Sequence, residues 1–381
     1  MKTALVTANY PPMSWPCGVA DYVAQLGRRL RTAGVDVTIV TSHAGAEPGS
    51  HGLPLEILPG RWDRHHRSRL VRLVRDRGFD LVDLQYEAAA YHYRAGPLLW
   101  PYFVPHPTAR VLTMHAPMLP RGGRIWRPVQ VRPFEAIVFN SRAVHDRLQG
   151  KFPSRADRFS FRAIPTNIMP MVSPAIATLA GRIKSGWARP GVMLLYFGHI
   201  APQRGLEDLL SAVQTLNARQ RPVQLVLLSQ FVPDDVPYHR ELLNRVRTLG
   251  LADQVSFPGE ATPEQVSAWF QAADVAVLPY PDGGSFRNGS LAAALVHGTP
   301  IVTTATALTE PEIVTSPGIA TYTPGDQAGL VDRLSPIIDD AERRQAMSRS
   351  VRELAEVVAW DGYVAHRLEV YEQALARRRR A

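Results

Sequence analysis

The fold is decided by Pro279–Thr304, PYPDGGSFRNGSLAAALVHGTPIVTT. An apolar run before it, Ala273–Leu278, predicts a buried strand. A loop of Pro, Asp, Gly, Ser and Asn follows. Gly289–His297 is then rich in Ala and Leu, which predicts a short helix. Gly298, Thr299 and Pro300 stop that helix, and Ile301–Thr304 reads as a new buried strand. Strand, glycine-rich loop and helix start together present unpaired backbone N–H groups to an anion. Asn288, Gly289 and Ser290 put small or capping residues at the turn, so a phosphate can approach the backbone closely. An ordinary connection has a similar composition, so this stretch does not assign a ligand by itself.

Outward from it, the second half repeats one unit. Met193–Phe197 predicts a strand, followed by Gly198, His199 and a loop to Arg204 and Gly205. A helix then carries Leu206, Leu209, Leu210 and Val213. Strands at Val223–Leu228 and Val255–Phe257 alternate with helices near Tyr238–Thr248 and Pro263–Ala272. Apolar strands alternating with helices imply a parallel sheet covered on both faces.

The first half reads alike. Thr3–Ala8 predicts a strand and Val19, Tyr22, Val23, Leu26 and Leu30 a helix from about Gly18 to Ala33, with Val35–Thr41 the next strand. No GxGxxG occurs at this βαβ opening, so Gly18 serves a tight turn or lets a substrate lie on the backbone. Leu81–Leu84 is a strand with Gln85, Tyr86 and Glu87 placed just past its end, where open α/β sheets bind ligands. His115 stands at the same edge after the strand Ala109–Met114. Ala136–Phe139 and Phe161–Ile164 complete the pattern. Pro165–Pro190 has four prolines and little periodicity, which places a domain boundary there. We therefore expect an N-terminal domain over 1–168, a linker over 169–190, a second domain over 191–358 and a terminal segment over 359–381. That segment has Trp360, Tyr363, Val364, Leu368, Tyr371 and Leu375 at core spacing and ends in a solvated tail, Arg377–Arg380.

The length of 381 residues suits two such α/β domains. No apolar run reaches the ~18 to 20 residues a membrane span needs, and the N-terminal apolar run is too short for a secretory signal. The single cysteine, Cys17, precludes an internal disulfide framework and points to the cytoplasm; with no partner motif, the thiol reads as incidental. Net charge is +9 but divided: residues 1–190 hold 26 Lys+Arg and 12 Asp+Glu (26 − 12 = +14), and 191–381 hold 17 and 22 (17 − 22 = −5). The basic half attracts anionic ligands or an anionic membrane surface. Arg61–Arg77, RWDRHHRSRLVRLVRDR, reads as a surface helix packed by Leu70, Leu73 and Val74, with peripheral contact on the inner membrane face as the functional alternative. No nucleic-acid-binding signature accompanies the charge, so nucleic acid is not expected as a partner.

Taken together, the chain resembles a GT-B glycosyltransferase of family GT4 over essentially its whole length. YFGHIAPQRGLEDLLSAV is similar to the family's strand–GR(L/I)xxxKG–helix segment. VSFPGEATPEQVSAWFQAADVAVLPYP resembles its base-contacting segment, GSLAAALVHGTPIVTT its helix and strand after the donor loop, and WDGYVAHRLEVYEQAL its terminal helix, which the resemblance implies crosses back to the first domain. The resemblance implies two Rossmann-like domains facing across a cleft, and retaining transfer of a sugar from a nucleoside-diphosphate sugar to an acceptor hydroxyl. It implies no metal and no other cofactor, and no Asp-x-Asp occurs. By motif position, Arg204 holds the diphosphate, Asn288, Gly289 and Ser290 supply N–H donors, and Gly18 lies beside the pyrophosphate and sugar. His115 contacts the sugar near the reacting centre, and Gly259 and Glu260 fall where the base is read.

Two departures stand out. Beside Gly198, the family's first phosphate arginine is His199. The family's Glu-x7-Glu pair falls on Ser285 and Ala293, so the ribose contact is lost or moved, and Ser285, with Phe286 and Arg287 beside it, is left to meet the sugar. The acceptor, whether sugar, lipid-linked glycan or small molecule, is expected near Asp21, Tyr22 and Gln85–Glu87. The missing glutamates keep a weak or inactive nucleotide-binding homologue in view, and a nucleotide-sugar epimerase is a further alternative. A phosphorylase is disfavoured, because residues 185–381 contain no lysine for a pyridoxal cofactor.

Overall fold

The computed structural model describes every residue except 14–16, 50–51, 95, 116–127, 187–190 and 381. The chain divides into two compact units, one of 1–167 with 360–381 and one of 168–359.

The first unit is built on strands β1 (Lys2–Thr7), β2 (Asp36–Thr41), β3 (Leu55–Ile57), β4 (Leu81–Tyr86), β5 (Ala109–Met114), β6 (Ala136–Phe139) and β7 (Phe159–Phe161). Among them lie helices α1 (Gly18–Thr32), α2 (Arg64–Arg77), α3 (Gly96–Leu99), α4 (Pro128–Val131) and α5 (Arg142–Lys151). The strands form one parallel sheet in the order β3-β2-β1-β4-β5-β6-β7. Val, Ile and Leu fill its centre because helices cover both faces. The core around Leu84, Leu112 and Ile137 lies on one face, and that around Leu5, Leu26 and Val111 on the other.

The second unit has β8 (Val192–Phe197), β9 (Val223–Leu228), β10 (Val255–Ser256), β11 (Val275–Leu278), β12 (Ile301–Thr304) and β13 (Ile319–Tyr322). Its helices are α6 (Pro174–Ser185), α7 (Leu206–Ala218), α8 (Pro237–Thr248), α9 (Pro263–Ala272), α10 (Gly289–His297), α11 (Pro311–Thr315), α12 (Gln327–Asp339) and α13 (Ala341–Leu354). The strands form a parallel sheet in the order β10-β9-β8-β11-β12-β13. The order reverses beside β8, so the loops after β8 and β11 sit at a topological switch point, where open α/β sheets bind ligands. These are the loops of Gly198–Gly205 and Pro279–Asn288.

Several expectations need correction. The stretch expected as a linker contains α6, capped by the Ser173 hydroxyl accepting from the Ile176 N–H at 3.2 Å. It belongs to the second unit and packs on α9, with Lys184 paired to Asp274 at 2.6 Å. Residues 187–190 of that stretch lie outside the described residues. Gln85 and Tyr86 do not follow a strand; they are the last residues of β4. The final arginines are only in part a solvated tail: the last helix, α14 (Trp360–Arg379), runs into them, Arg377 donates to the Glu135 and Asp157 carbonyls at 3.2 and 2.6 Å, and Arg379 and Arg380 are exposed.

The buried stripe of α14 is also different from the spacing predicted. Trp360, Tyr363, Arg367, Val370, Tyr371 and Ala374 are buried, while Val364, Leu368 and Leu375 are only partly so. Arg367 is fully buried against Asp83, which also accepts from the Tyr371 hydroxyl at 2.6 Å. Among the described residues no helix is long and apolar enough to cross a membrane.

Candidate active site

The second unit assembles its site from the ends of β8 and β11. After β8 the chain turns at Gly198, with φ at +146°. A side chain there would meet the Ser290 hydroxyl at 2.9 Å, so Gly198 lies directly against the start of α10. After the same loop, Gly205 (φ +69°) opens α7, and a side chain there would strike the Pro279 carbonyl oxygen at 2.4 Å. Only glycine satisfies both backbone angle and space at these two points. The two loops are thereby held together, and Arg204 rides between them.

Arg204 is half-buried and, among the described residues, makes no hydrogen bond or ion pair. Its charge reaches two buried tyrosines: Tyr196, which donates to the His199 carbonyl at 2.7 Å, and Tyr280. Burial pushes the Tyr280 hydroxyl up to about 12, while Ser290, Arg204 and the Leu291 amide pull the other way. Both phenols are neutral at pH 7 and leave Arg204 uncompensated.

Asn288 occupies the N-cap of α10, as predicted, but its side chain does not cap the helix. Its Oδ1 instead accepts from the Ser285 N–H at 2.8 Å, which tightens the loop. The first amides of α10 are thus not consumed by a side-chain cap, and the partial positive charge of the helix start adds to that of Arg204. Gly289 is exposed and Ser290 half-buried at this end. His199 is exposed beside them; partial burial of its ring and then the Arg204 charge hold its pKa below the usual histidine value.

The rest of the Pro279–Asn288 loop is mostly packed. Phe286 is fully buried, so its ring serves the core and not a ligand. Ser285 is buried, and its hydroxyl donates to Glu310 Oε1 at 2.9 Å. Ala293 is fully buried within α10. Gly259 (φ +86°) has open space around it, and Glu260 is exposed beyond β10.

In the first unit, His115 follows β5 and is 8% exposed. Asn140 donates to its Nδ1 at 3.2 Å, so Nε2 carries the proton and donates to Gln85 Oε1 at 3.0 Å. Burial, and then the Arg367 charge, lower its pKa to about 3. The imidazole is therefore neutral with both nitrogens engaged. A chain of hydrogen bonds runs on from Gln85 to Thr113 (3.4 Å) and from Thr113 to Asp83 (2.9 Å), which pairs with Arg367.

The residues expected at the acceptor fall into two groups. Tyr22 and Tyr86 are buried: Tyr22 bonds the Tyr363 hydroxyl at 2.6 Å with its ring edge-on to His115, and Tyr86 stacks on Tyr91. Neither presents its side chain outward, because the strand and helix spacing that placed them at an edge also turns them inward. Gln85 is buried as a support for His115. Asp21 and Gly18 are exposed at the start of α1, with open space where a Gly18 side chain would be. Glu87 is half-buried and accepts from the Ala89 and Ala90 N–H groups at 3.1 and 2.7 Å.

Comparison with known proteins assigns the class. Residues 191–340 match the family model "Glycosyl transferases group 1", and residues 16–161 match "Glycosyltransferase Family 4". The chain belongs to this glycosyltransferase family and has its GT-B fold of two Rossmann-like domains. It is similar to the MMP alpha-(1->4)-mannosyltransferase of Mycolicibacterium hassiacum, 28% identical over 67% of this chain and 61% of that protein's length. It also aligns with the D-inositol 3-phosphate glycosyltransferase of Salinispora tropica, 24% identical over 99% of this chain and 86% of the relative. In fold it is similar to sucrose-phosphate synthase of Thermosynechococcus elongatus, with TM-score 0.72, 17% identity and coverage of 98% and 99% of the two chains. HepE of Anabaena, in complex with UDP and glucose, matches with TM-score 0.70, 17% identity and coverage of 97% and 99%.

Proposed function

We propose that this glycosyltransferase moves a sugar from a nucleoside-diphosphate sugar to an acceptor hydroxyl, with retention at the anomeric carbon and without a metal ion. The observation that carries the proposal is the unpaired Arg204 beside the uncapped start of α10, where open space around Gly289 admits a ligand to the backbone. That positive potential suits the charge that develops on a departing diphosphate. The UDP and UDP-glucose bound to HepE, a protein of similar fold, agree with such a donor.

In the proposed step the bond from the anomeric carbon to the phosphate oxygen breaks while the acceptor oxygen bonds that carbon on the same face. The acceptor proton passes to the departing phosphate oxygen, so no general base is required. His115, neutral and held by Gln85 and Asn140, acts by shape and polarity near the sugar and not as an acid.

Thermal-shift titration with UDP, GDP, ADP and dTDP should raise Tm for at least one nucleotide by mass action. Transfer should persist in EDTA. Arg204→Ala should cost about 2–4 kcal/mol of transition-state stabilisation, seen in kcat/KM; an unchanged value removes that role. A homologue that only holds a nucleotide would show the thermal shift without hydrolysis or transfer.

We also propose peripheral contact with an anionic membrane through α2. Its Arg64, Arg69, Arg72 and Arg75 are exposed, while His66, Leu70 and Val74 pack inward. Arg67 lies over the Phe103 ring at 4.1 Å, and Tyr102 and Phe103 are 43% and 52% exposed beside it. Exposed aromatics within a basic surface suit the bilayer interface.

A further inference from the structure

Glu310 precedes α11, on the loop that follows β12, and is only 2% exposed. It stands at the N-cap of α11 but makes no side-chain capping bond. Its carboxyl points instead to the donor loop. Oε1 accepts from the Ser285 hydroxyl at 2.9 Å, while Oε2 is buried and has no hydrogen-bond partner. Burial raises the pKa of the carboxyl, while the Glu310 backbone N–H, the Ser285 hydroxyl, the Phe286 N–H and Arg287 pull the other way.

A buried carboxyl oxygen without a partner is destabilising, and such groups concentrate where function requires them. The position is informative. Ser285 stands where the resemblance expects a glutamate that touches the donor sugar, and its hydroxyl is buried and engaged with Glu310. A second loop brings a carboxyl to the same place and fastens it to the Ser285 hydroxyl.

We propose that Glu310 is the sugar-recognising carboxylate of the donor site, with its free Oε2 accepting a hydrogen bond from a hydroxyl of the transferred sugar and Ser285 fixing its orientation. The proposal rests on the nucleotide-sugar reading above. It assigns specificity to a loop outside the Gly198–Gly205 and Pro279–Asn288 pair. A sugar lacking the matching hydroxyl leaves Oε2 without a partner in the complex and is discriminated against on that ground.

The test compares each nucleotide with its sugar derivative on the full-length protein: UDP with UDP-glucose, GDP with GDP-mannose, and ADP with ADP-glucose. Binding is measured by calorimetry and donor turnover by hydrolysis without acceptor. Glu310→Gln preserves shape and can still accept from Ser285. It should leave the affinity for the preferred free diphosphate within about twofold, weaken the sugar nucleotide by about 10-fold or more, and slow hydrolysis by a similar or larger factor. Its Tm at pH 7.5 should be equal to or above that of the wild type, because a buried carboxylate with a raised pKa is destabilising above that pKa. Ser285→Ala should show the same selectivity loss, smaller in size. Equal weakening of diphosphate and sugar nucleotide, or none of either, overturns the assignment of Glu310. Failure of the wild-type protein to bind any of the six compounds, or dTDP or dTDP-glucose, overturns the nucleotide-sugar reading, and this inference with it.

Discussion

His199 occupies the place of an arginine in the resembled motif, and its chemistry gives a pH prediction. Its pKa is held below the usual value in the free protein by partial burial and Arg204. A bound diphosphate raises it, since an adjacent anion favours the imidazolium. The complex then binds more protons than the free protein, so diphosphate affinity should rise as pH falls from 7.5 towards 6. His199→Gln should flatten this dependence, as calorimetry in buffers of different ionisation enthalpy will show; a wild-type affinity independent of pH contradicts it. At this level much of the loop–helix geometry of the second unit's candidate site was legible. Gly198, Gly205 and Ser290 were marked by composition at loop–helix junctions, and the structure brings Gly198 and Ser290 together. Glu310 was not legible: it lies 25 residues from Ser285 in sequence, and only the adjacency of β11 and β12 joins them. Tyr22 and Tyr86 were singled out by position along their elements, but side-chain direction depends on which face the neighbouring elements cover.

Among the elements, α14 shows where periodicity is insufficient. A buried arginine breaks the apolar stripe, so the spacing of Trp360, Tyr363 and Tyr371 is followed correctly but Val370 and Ala374 are missed. The cause is Asp83, a carboxylate in the middle of β4 that was read as part of an ordinary strand. Each charge alone is prohibitive at full burial, and each makes the other acceptable. Arg367→Met should therefore destabilise the protein by about 3–5 kcal/mol in urea denaturation, because Asp83 is left unpaired. Arg367→Met with Asp83→Asn should recover a substantial part of the loss. A single variant within about 1 kcal/mol of wild type would show that the pair does not matter to the core. Helix α6 was missed for a different reason: prolines around it suppress helical propensity, while its Ser173 cap and packing on α9 restore it.

Across the full chain, alternation of apolar strands with helices made the doubly wound architecture legible, because parallel sheets bury both faces. The strands β3 and β13 escaped, since each lies at an edge of its sheet, is only partly buried and has no continuous apolar run. The charge division was legible by counting. Its consequence is testable: full-length protein should bind vesicles of phosphatidylglycerol at low salt and be released at high salt. Replacing Arg69 and Arg72 by Gln should weaken binding, and absence of binding at low salt would count against the membrane proposal. The proposed function depends most on the diphosphate. The most direct measurement is a crystal structure of the protein with the nucleoside diphosphate that gives the largest thermal shift. Its phosphates should lie within hydrogen-bonding distance of the Arg204 guanidinium and of the Gly289 and Ser290 amides. Phosphates bound away from Arg204 and the start of α10 would contradict the account.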